Sequence, residues 1–461
     1  MEKERSRGLM GGIWETQNKV RPDAYINFET NSLNTMGLDS NGALAIPVAL
    51  DWGEVGKFIK LSTNTKFKAL FGKSLAEILP VRESFKATSN IFLYNINGLG
   101  EKAKATAEGL TATAIYGGSD GNKIHVTVTV GLDGAVTIKT YFEALQVDSQ
   151  KVASFEELKA NDFVIFTGSL PGADAILTLG GGATVAATNE SISEFASALD
   201  SLDFKTVAYG TDDHTIKSLL ALKVKEFREQ VGKRVTFVTN NYNAADHEST
   251  VSIKNGVTLD GGEVLTAKDA VYWFAAAFAA STVGSLTYAT YPGATEAETM
   301  TNDEIIQALK DGHIVYSFNN DEVVVEQDIN TFRSFTPKKN QDFRKGKIDR
   351  GMSIIENNAR HIFRKYFIGK VNNDANGRDL FKKQLMKTVL DPYVRLGVID
   401  PYMPEDIVIE SGDEKDAVFA VLGVKFIDAM EKLYSVLSAN KKEVRLDGTK
   451  CYANKRRHVL T

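Results

Sequence analysis

Residues 11–29, GGIWETQNKVRPDAYINFE, cannot fold alone. Gly11 and Gly12 open a flexible stretch, and Pro22 forbids a helix through its centre because it lacks the amide donor and fixes φ. Beyond Pro22 the residues alternate. Ala24, Ile26 and Phe28 face one way and Tyr25, Asn27 and Glu29 the other, the period of a strand with one apolar face. A lone strand must complete its hydrogen bonds on a sheet, its own or a neighbour's. The segment is therefore an arm, and where it docks bears directly on function.

The rest of the chain can build substantial cores. Its 461 residues suggest two to four domains, and 43% hydrophobic with 25% charged residues is the balance of a globular protein. A net charge of −5 argues against general nucleic-acid binding. Cys451 is the single cysteine, so no disulfide forms within the chain and a reducing cytoplasm suits its folding. The first residues, MEKERSRG, mix acids and bases without an apolar run, which predicts no signal peptide, and no segment is long enough to insert into a membrane.

Pattern along the chain predicts an α+β and α/β, multidomain architecture: an α/β core with a C-terminal α+β domain, an inserted mostly-β domain and extended N- and C-terminal arms. Residues 1–30 are the extended N-terminal arm. Residues 31–110 are the first part of the core, with strands at 43–50 and 91–96, helical pieces at 54–61 and 66–72, and a short helix at 75–80 stopped by Pro80. Residues 111–185 are the inserted domain, with strands at 113–116, 125–130, 135–140 and 162–166 and Gly-rich turns between them. Residues 186–335 resume the core: Asp212 and Asp213 cap a helix, strands fall at 205–209 and 234–238, residues 268–283 form a buried helix, and a hairpin turns at 319–321. Residues 336–439 form the C-terminal domain, with helices at 343–366 and 377–397 and strand alternation at 416–427. Residues 440–461 are a basic tail.

Local motifs for chemistry are missing. The six histidines include no i, i+3 or i+4 pair, so no metal site is predicted. Gly180, Gly181 and Gly182 lack the lysine of a phosphate loop and read as a domain-boundary turn. His214 reads as a surface residue in a first helical turn. No catalytic residue and no cofactor is expected. Charge is distributed unevenly. From Lys338 to Lys370 ten Lys or Arg stand against Asp342, Asp349 and Glu356, and Lys382, Lys383 and Lys387 extend the basic stretch. In a chain that is acidic overall, this reads as a solvated face or as a dock for an acidic surface.

Residues 11–28 closely resemble the N-terminal arm of contractile tail sheath proteins, of the type found in Gram-positive myophages, defective prophages and tailocins (bacteriocins shaped like phage tails). Members of that family usually have glycine where Asp23 stands. Residues 114–124 resemble the opening of the family's inserted domain, and 325–332 the entry to its C-terminal domain. Residues 381–396, Ile399, Asp400 and 428–434 resemble later parts of that domain. The family tends to end soon after the last of these blocks, whereas here residues 440–461 follow.

The resemblance implies a structural subunit that polymerises as stacked hexameric rings around an inner tube. It contracts without nucleotide hydrolysis and drives the tube through a bacterial envelope. It implies strand exchange between copies, with Arg21, Pro22, Tyr25, Ile26 and Phe28 in the inter-subunit arm and Phe419, Val421, Phe426, Met430 and Tyr434 in a C-terminal strand. Arg360, Arg364, Lys382, Lys383 and Lys387 are the tube-facing candidates. The implied partners are other copies of the chain, the inner tail tube protein, and baseplate and tail terminator proteins, with no nucleic acid and no direct membrane insertion. Assembly in the bacterial cytoplasm and release as part of a virion or phage-tail-like particle would follow. The alternative is an α/β small-molecule or nucleotide-binding protein built on the segment near 186–300.

Overall fold

The computed structural model describes residues 42–62, 64–281 and 284–435. The arm residues Arg21, Pro22, Tyr25, Ile26 and Phe28 and the basic residues 440–461 lie outside them.

Leu44–Val48 is an unbroken apolar run and is buried along its whole length, as befits a parallel strand covered on both faces. It sits inside a seven-stranded sheet in the order His313–Ile314, Thr250–Ile253, Thr236–Asn240, Thr206–Ala208, Leu44–Val48, Ile91–Asn95, Phe58–Leu61. All neighbours run parallel except Phe58–Leu61, which pairs antiparallel at one edge. Pro47 is tolerated in a central strand because the ladder to Thr206–Ala208 ends at Ala45.

The alanine-rich helix Ala267–Ala280 lies against this sheet with Val271, Trp273, Phe274 and Phe278 buried. Two glycines allow that close approach. A Cβ on Gly42 or on Gly210 would stand 1.9 Å from a carbonyl oxygen of the helix, Ala279 and Lys268 respectively. On the other face Ile192, Phe195, Leu220, Val224 and Phe227, from helices Asn189–Ala198 and His214–Glu226 and the turn after them, form a second core.

The inserted domain starts earlier than residue 111. Gly98–Glu101 pairs with Ala183–Val185, so the chain enters and leaves side by side, and Lys104–Ala107 belongs to the insert's three-stranded sheet. That sheet, with Leu110–Ala114 and Val164–Gly168, and the four-stranded sheet of Ala175–Thr178, Ile124–Val130, Val136–Phe142 and Leu145–Val152 bury a common core. Trp52, from the central domain, plugs this core. Its ring stacks on Phe163 at 6.0 Å and meets Tyr116 edge-on at 5.3 Å, and its Nε1 donates to the Ala69 carbonyl at 2.8 Å.

Some local expectations change. Residues 54–61, read as helical, contain the edge strand Phe58–Leu61 instead. Pro80 starts a helix rather than stopping one: Leu79–Phe85 carries it in the first turn, where a missing N–H costs nothing. The hairpin Tyr316–Asn319 with Glu322–Val325 turns at Asn320 and Asp321, both at positive φ (50° and 64°), the conformation a tight hairpin turn requires. His313–Ile314, just upstream of the hairpin, joins the large sheet.

The C-terminal domain has its own core around Phe343, Ile348, Ile355, Phe381, Val389 and Tyr393. The long helix Gly346–Ile362 is followed by Ala375–Leu385, Asp391–Arg395 and a hairpin of Ile407–Ser411 with Val418–Leu422. Residues 429–435 lie in no helix or strand, and Met430, Leu433 and Tyr434 are exposed.

Candidate functional site

The densest polar chemistry lies between the central domain and the helix Gly346–Ile362. That helix carries Asp349, Glu356 and Arg360 at spacings of seven and four, which places them on one face. Arg228 meets Asp349 in a two-pronged pair, Nη1 to Oδ1 at 2.6 Å and Nη2 to Oδ2 at 2.7 Å, both residues being 2% exposed. Its remaining donors reach the Val235 carbonyl and the Thr236 hydroxyl. Arg234 Nε donates to Glu356 at 2.5 Å. Arg360 binds Glu356 and the Gly232 carbonyl. Lys339 reaches Glu248 at 2.9 Å. Arg350 pairs with Asp328 at 2.6 Å and stacks over Phe278 at 4.5 Å.

This network accounts for much of the basic stretch. Lys339, Lys345, Arg350 and Arg360 are paired with carboxylates inside the chain, and Arg344 donates to the Leu309 carbonyl. Arg360, expected from the sequence to face a tube, is buried and spent on Glu356. Sequence counting sees ten charges but not their direction. Asp349 and Glu356 at helical spacing within the basic run, with Arg228 and Arg234 upstream, are the signal in the sequence that points to buried pairing. Arg364 is half-buried and Lys382 likewise. Lys383 is exposed and pairs with Asp379 one turn away at 2.6 Å, and Lys387 is exposed.

Electrostatics at the joint follow from this packing. Burial alone would push the Glu248 carboxyl up, but His247, Lys339, Arg228 and Arg234 outweigh it and hold it well below the usual range. Glu229 is also lowered, chiefly by its hydrogen bond to His247. Burial depresses His313 to about 4, helped by Lys254 and Arg333 against Asp311, with its Nδ1 2.8 Å from the Ser252 hydroxyl.

All three groups bind fewer protons folded than unfolded in the range where they titrate, so stability falls as pH falls. His313 contributes between about 6.5 and 4, a loss of about 3 kcal/mol across that interval. The glutamates add to the loss below their unfolded pKa near 4.5. Urea melts between pH 7 and 4 should show this slope, and His313→Asn should flatten its upper part.

The C-terminal hairpin is the exposed counterpart of the joint. Ile407, Ile409, Val418 and Leu422 turn inward to the helical core, while Val408, Val421, Phe419 and Glu410 lie on the opposite face. Val421 is 44% exposed. Only two strands make this sheet, so each keeps one edge without a strand among the described residues. Phe419 and Val421 thus stand in a strand. Phe426 is buried beside Ile399, to which it forms an isolated bridge, and Met430 and Tyr434 stand in no strand among the described residues.

A cleft of about 550 Å³ opens beyond the strands of the large sheet, lined by Asp212, Asn240, Lys254, Thr266, Lys268 and Glu298 among others. Its acids are already engaged. Asp212 pairs with Lys268 at 2.9 Å and Glu298 accepts from the Gly256 amide at 2.8 Å. Among the described residues no group of His, Cys, Asp or Glu could hold a metal ion, and no described helix is long and apolar enough to cross a membrane.

A central α/β body carrying a β-sandwich insert, welded by buried ion pairs to a helical domain that ends in an open hairpin, is the construction of a structural building block. Comparison with known proteins gives the same class. Residues 98–186 match the phage tail sheath protein β-sandwich domain, 186–331 the phage tail sheath protein central domain, and 338–439 the phage tail sheath C-terminal domain. The phage-like element PBSX protein XkdK of Bacillus subtilis is 30% identical, the match covering 94% of this chain and all of that one. The crystal structure of a sheath tail protein from Desulfitobacterium hafniense is 32% identical with a TM-score of 0.80, over 89% of this chain and 98% of that one. The contracted sheath of an extracellular contractile injection system shares the fold, with a TM-score of 0.52 at 10% identity over 92% of this chain and 99% of that one. The chain belongs to the phage tail sheath protein family, and is a structural sheath subunit.

Proposed function

We propose that this subunit polymerises as stacked hexameric rings around an inner tube, and that contraction without nucleotide hydrolysis drives the tube through a bacterial envelope. The observation that carries the reading is the hairpin of Ile407–Ser411 and Val418–Leu422, with an open edge on each strand. Residues 21–28 have the alternation of a strand in need of a sheet. An arm of one copy laid on the hairpin of another completes the arm's hydrogen bonds and those of one hairpin edge. Because the two surfaces differ, the contact is head-to-tail and generates a helical polymer. Met430 and Tyr434, exposed in the single chain, would gain cover in the same mesh.

The ion-paired joint gives this polymer stiff units. Contraction then repacks interfaces between copies, and its free energy is the difference between two packings. No catalytic residue enters this mechanism. Assembly in the cytoplasm and export in a virion or a phage-tail-like bacteriocin are consistent with the family. Baseplate and terminator proteins would set the polymer's ends.

With Arg360 withdrawn, the tube-facing set is Lys382, Lys383 and Lys387, with Arg364 at its margin. Exposed pairs contribute only about 0.2–1 kcal/mol each, yet repetition along a tube makes them sufficient and still releasable. Changing Lys382, Lys383 and Lys387 together to Glu should leave circular dichroism and the melting curve of the monomer unaltered and abolish ordered assembly on the tube protein in pelleting assays. Wild-type pelleting by the triple variant would remove these lysines from the interface.

A further inference from the structure

The buried arginines of the joint all meet carboxylates: Arg228 with Asp349, Arg234 and Arg360 with Glu356, Arg350 with Asp328. Arg333 and Arg344, both half-buried, do not. Arg333 donates from Nη2 to the Asn243 carbonyl at 3.0 Å, and Arg344 donates from Nη2 to the Leu309 carbonyl. Among the described residues no carboxylate oxygen stands within ion-pair distance of either guanidinium, and the Nε of each is buried without a hydrogen-bond partner. The backbone brings the two together. Residues 329–333 run beside 343–345: Ile329 bridges Lys345, the Asn330 amide donates to the Arg344 carbonyl at 2.9 Å, and the Asn330 side chain donates to the Phe343 carbonyl at 2.7 Å. Burial, and then the like charge of Arg333, push the Arg344 guanidinium below its ordinary range, with Asp311 opposing. The nearby acids turn to other donors. Asp246 accepts from the Arg333 and Ser334 amides at 2.6 and 3.1 Å and from the Ser334 hydroxyl, and Asp311 accepts from Gln307 at 3.1 Å.

We propose that Arg333 and Arg344 together form a binding site for a small oxyanion of the phosphate class. A guanidinium presents parallel N–H groups in a fixed fork, which match two oxygens of one phosphate and do not match a spherical chloride. Each of these arginines spends one donor on a main-chain carbonyl and keeps others for such a contact. A shared anion would also offset two neighbouring like charges, which a bridging water would not. A helix-capping role for Arg344, at the end of Asn302–Lys310, accounts for its contact with Leu309 but for neither orphaned Nε nor Arg333. The site has a mechanical consequence. Its two arginines lie where the chain crosses from the central domain to the helix Gly346–Ile362, so an oxyanion held by both would tie that crossing down. The site is contained within one subunit, and the inference does not rest on the polymer reading.

Thermal melts of the full chain in inorganic phosphate, with sodium chloride adjusted to hold ionic strength constant, test the site. Tm should rise by about 2–4 °C and level off as the site fills. Exclusion of phosphate from the protein surface also raises Tm, but that part grows without saturating. Arg333→Gln and Arg344→Gln should each abolish the saturable part and keep the other. Where a Gln variant does not fold, the matching Lys variant keeps the charge without the fork and should need about tenfold more phosphate for half-saturation. Titration calorimetry should give the same half-saturation in the wild type. A rise that never saturates in the wild type, a saturable rise that survives in either Gln variant, or an unchanged half-saturation in the Lys variants overturns the proposal.

Discussion

Asp349→Ala is expected to cost about 3–5 kcal/mol of stability, far more than the loss of any exposed ion pair, because it leaves the Arg228 guanidinium buried without its counter-charge. The pair is 2% exposed on both sides, so water cannot replace the lost carboxylate. Urea denaturation followed by tryptophan fluorescence would measure it, and Lys383→Ala, which breaks only an exposed pair, should change stability by less than about 1 kcal/mol. Replacing both partners, Arg228→Met with Asp349→Leu, should recover most of the loss, since an apolar pair of similar volume often matches a buried ion pair. That contrast locates the role of the joint: it specifies one arrangement of two domains more than it adds net stability. A loss below about 1 kcal/mol in Asp349→Ala would mean that the joint is open to water in solution.

Deleting residues 1–30 is the second change of large expected effect. Among the described residues the four cores are built from residues 43–426, so the truncated chain should fold and melt as the full chain does. It should nevertheless fail to form any ordered polymer, since each hairpin would lose the strand proposed to pair with one of its edges. Sedimentation velocity would show monomers where the full chain gives heavy species. Polymer formation by the truncated chain would transfer the assembly role from the arm to other surfaces.

The fold is legible in the sequence where one physical signal dominates. Strict apolar–polar alternation locates Ile124–Val130 and Val136–Phe142, Asp213 announces the helix it caps, and the Asn-Asn-Asp turn announces its hairpin. Weaker signals mislead or carry no message. Leu145–Val152 is a polar edge strand whose partner, not its hydrophobicity, makes it extended. Ile407–Ser411 is likewise masked by its acidic neighbours. Gly98–Glu101 has no strand propensity of its own, and its pairing with the distant Ala183–Val185 defines where the insert begins.

The candidate site divides the same way. The apolar strand residues Phe419 and Val421 are legible as alternation. The basic residues are legible as a count, but whether each faces solvent or a buried carboxylate depends on tertiary contacts. Arg228 with Asp349 and Arg234 with Glu356 join residues more than a hundred positions apart, which no one-dimensional charge window contains.

The most direct measurement is electron microscopy of the purified full chain with its particle's tube protein across a range of salt concentrations. Striated cylinders around a central tube, at two distinct diameters as conditions change, are the expected result. Monodisperse single subunits under every condition, with tube protein present and the protein demonstrably folded, would rule out a contractile polymer.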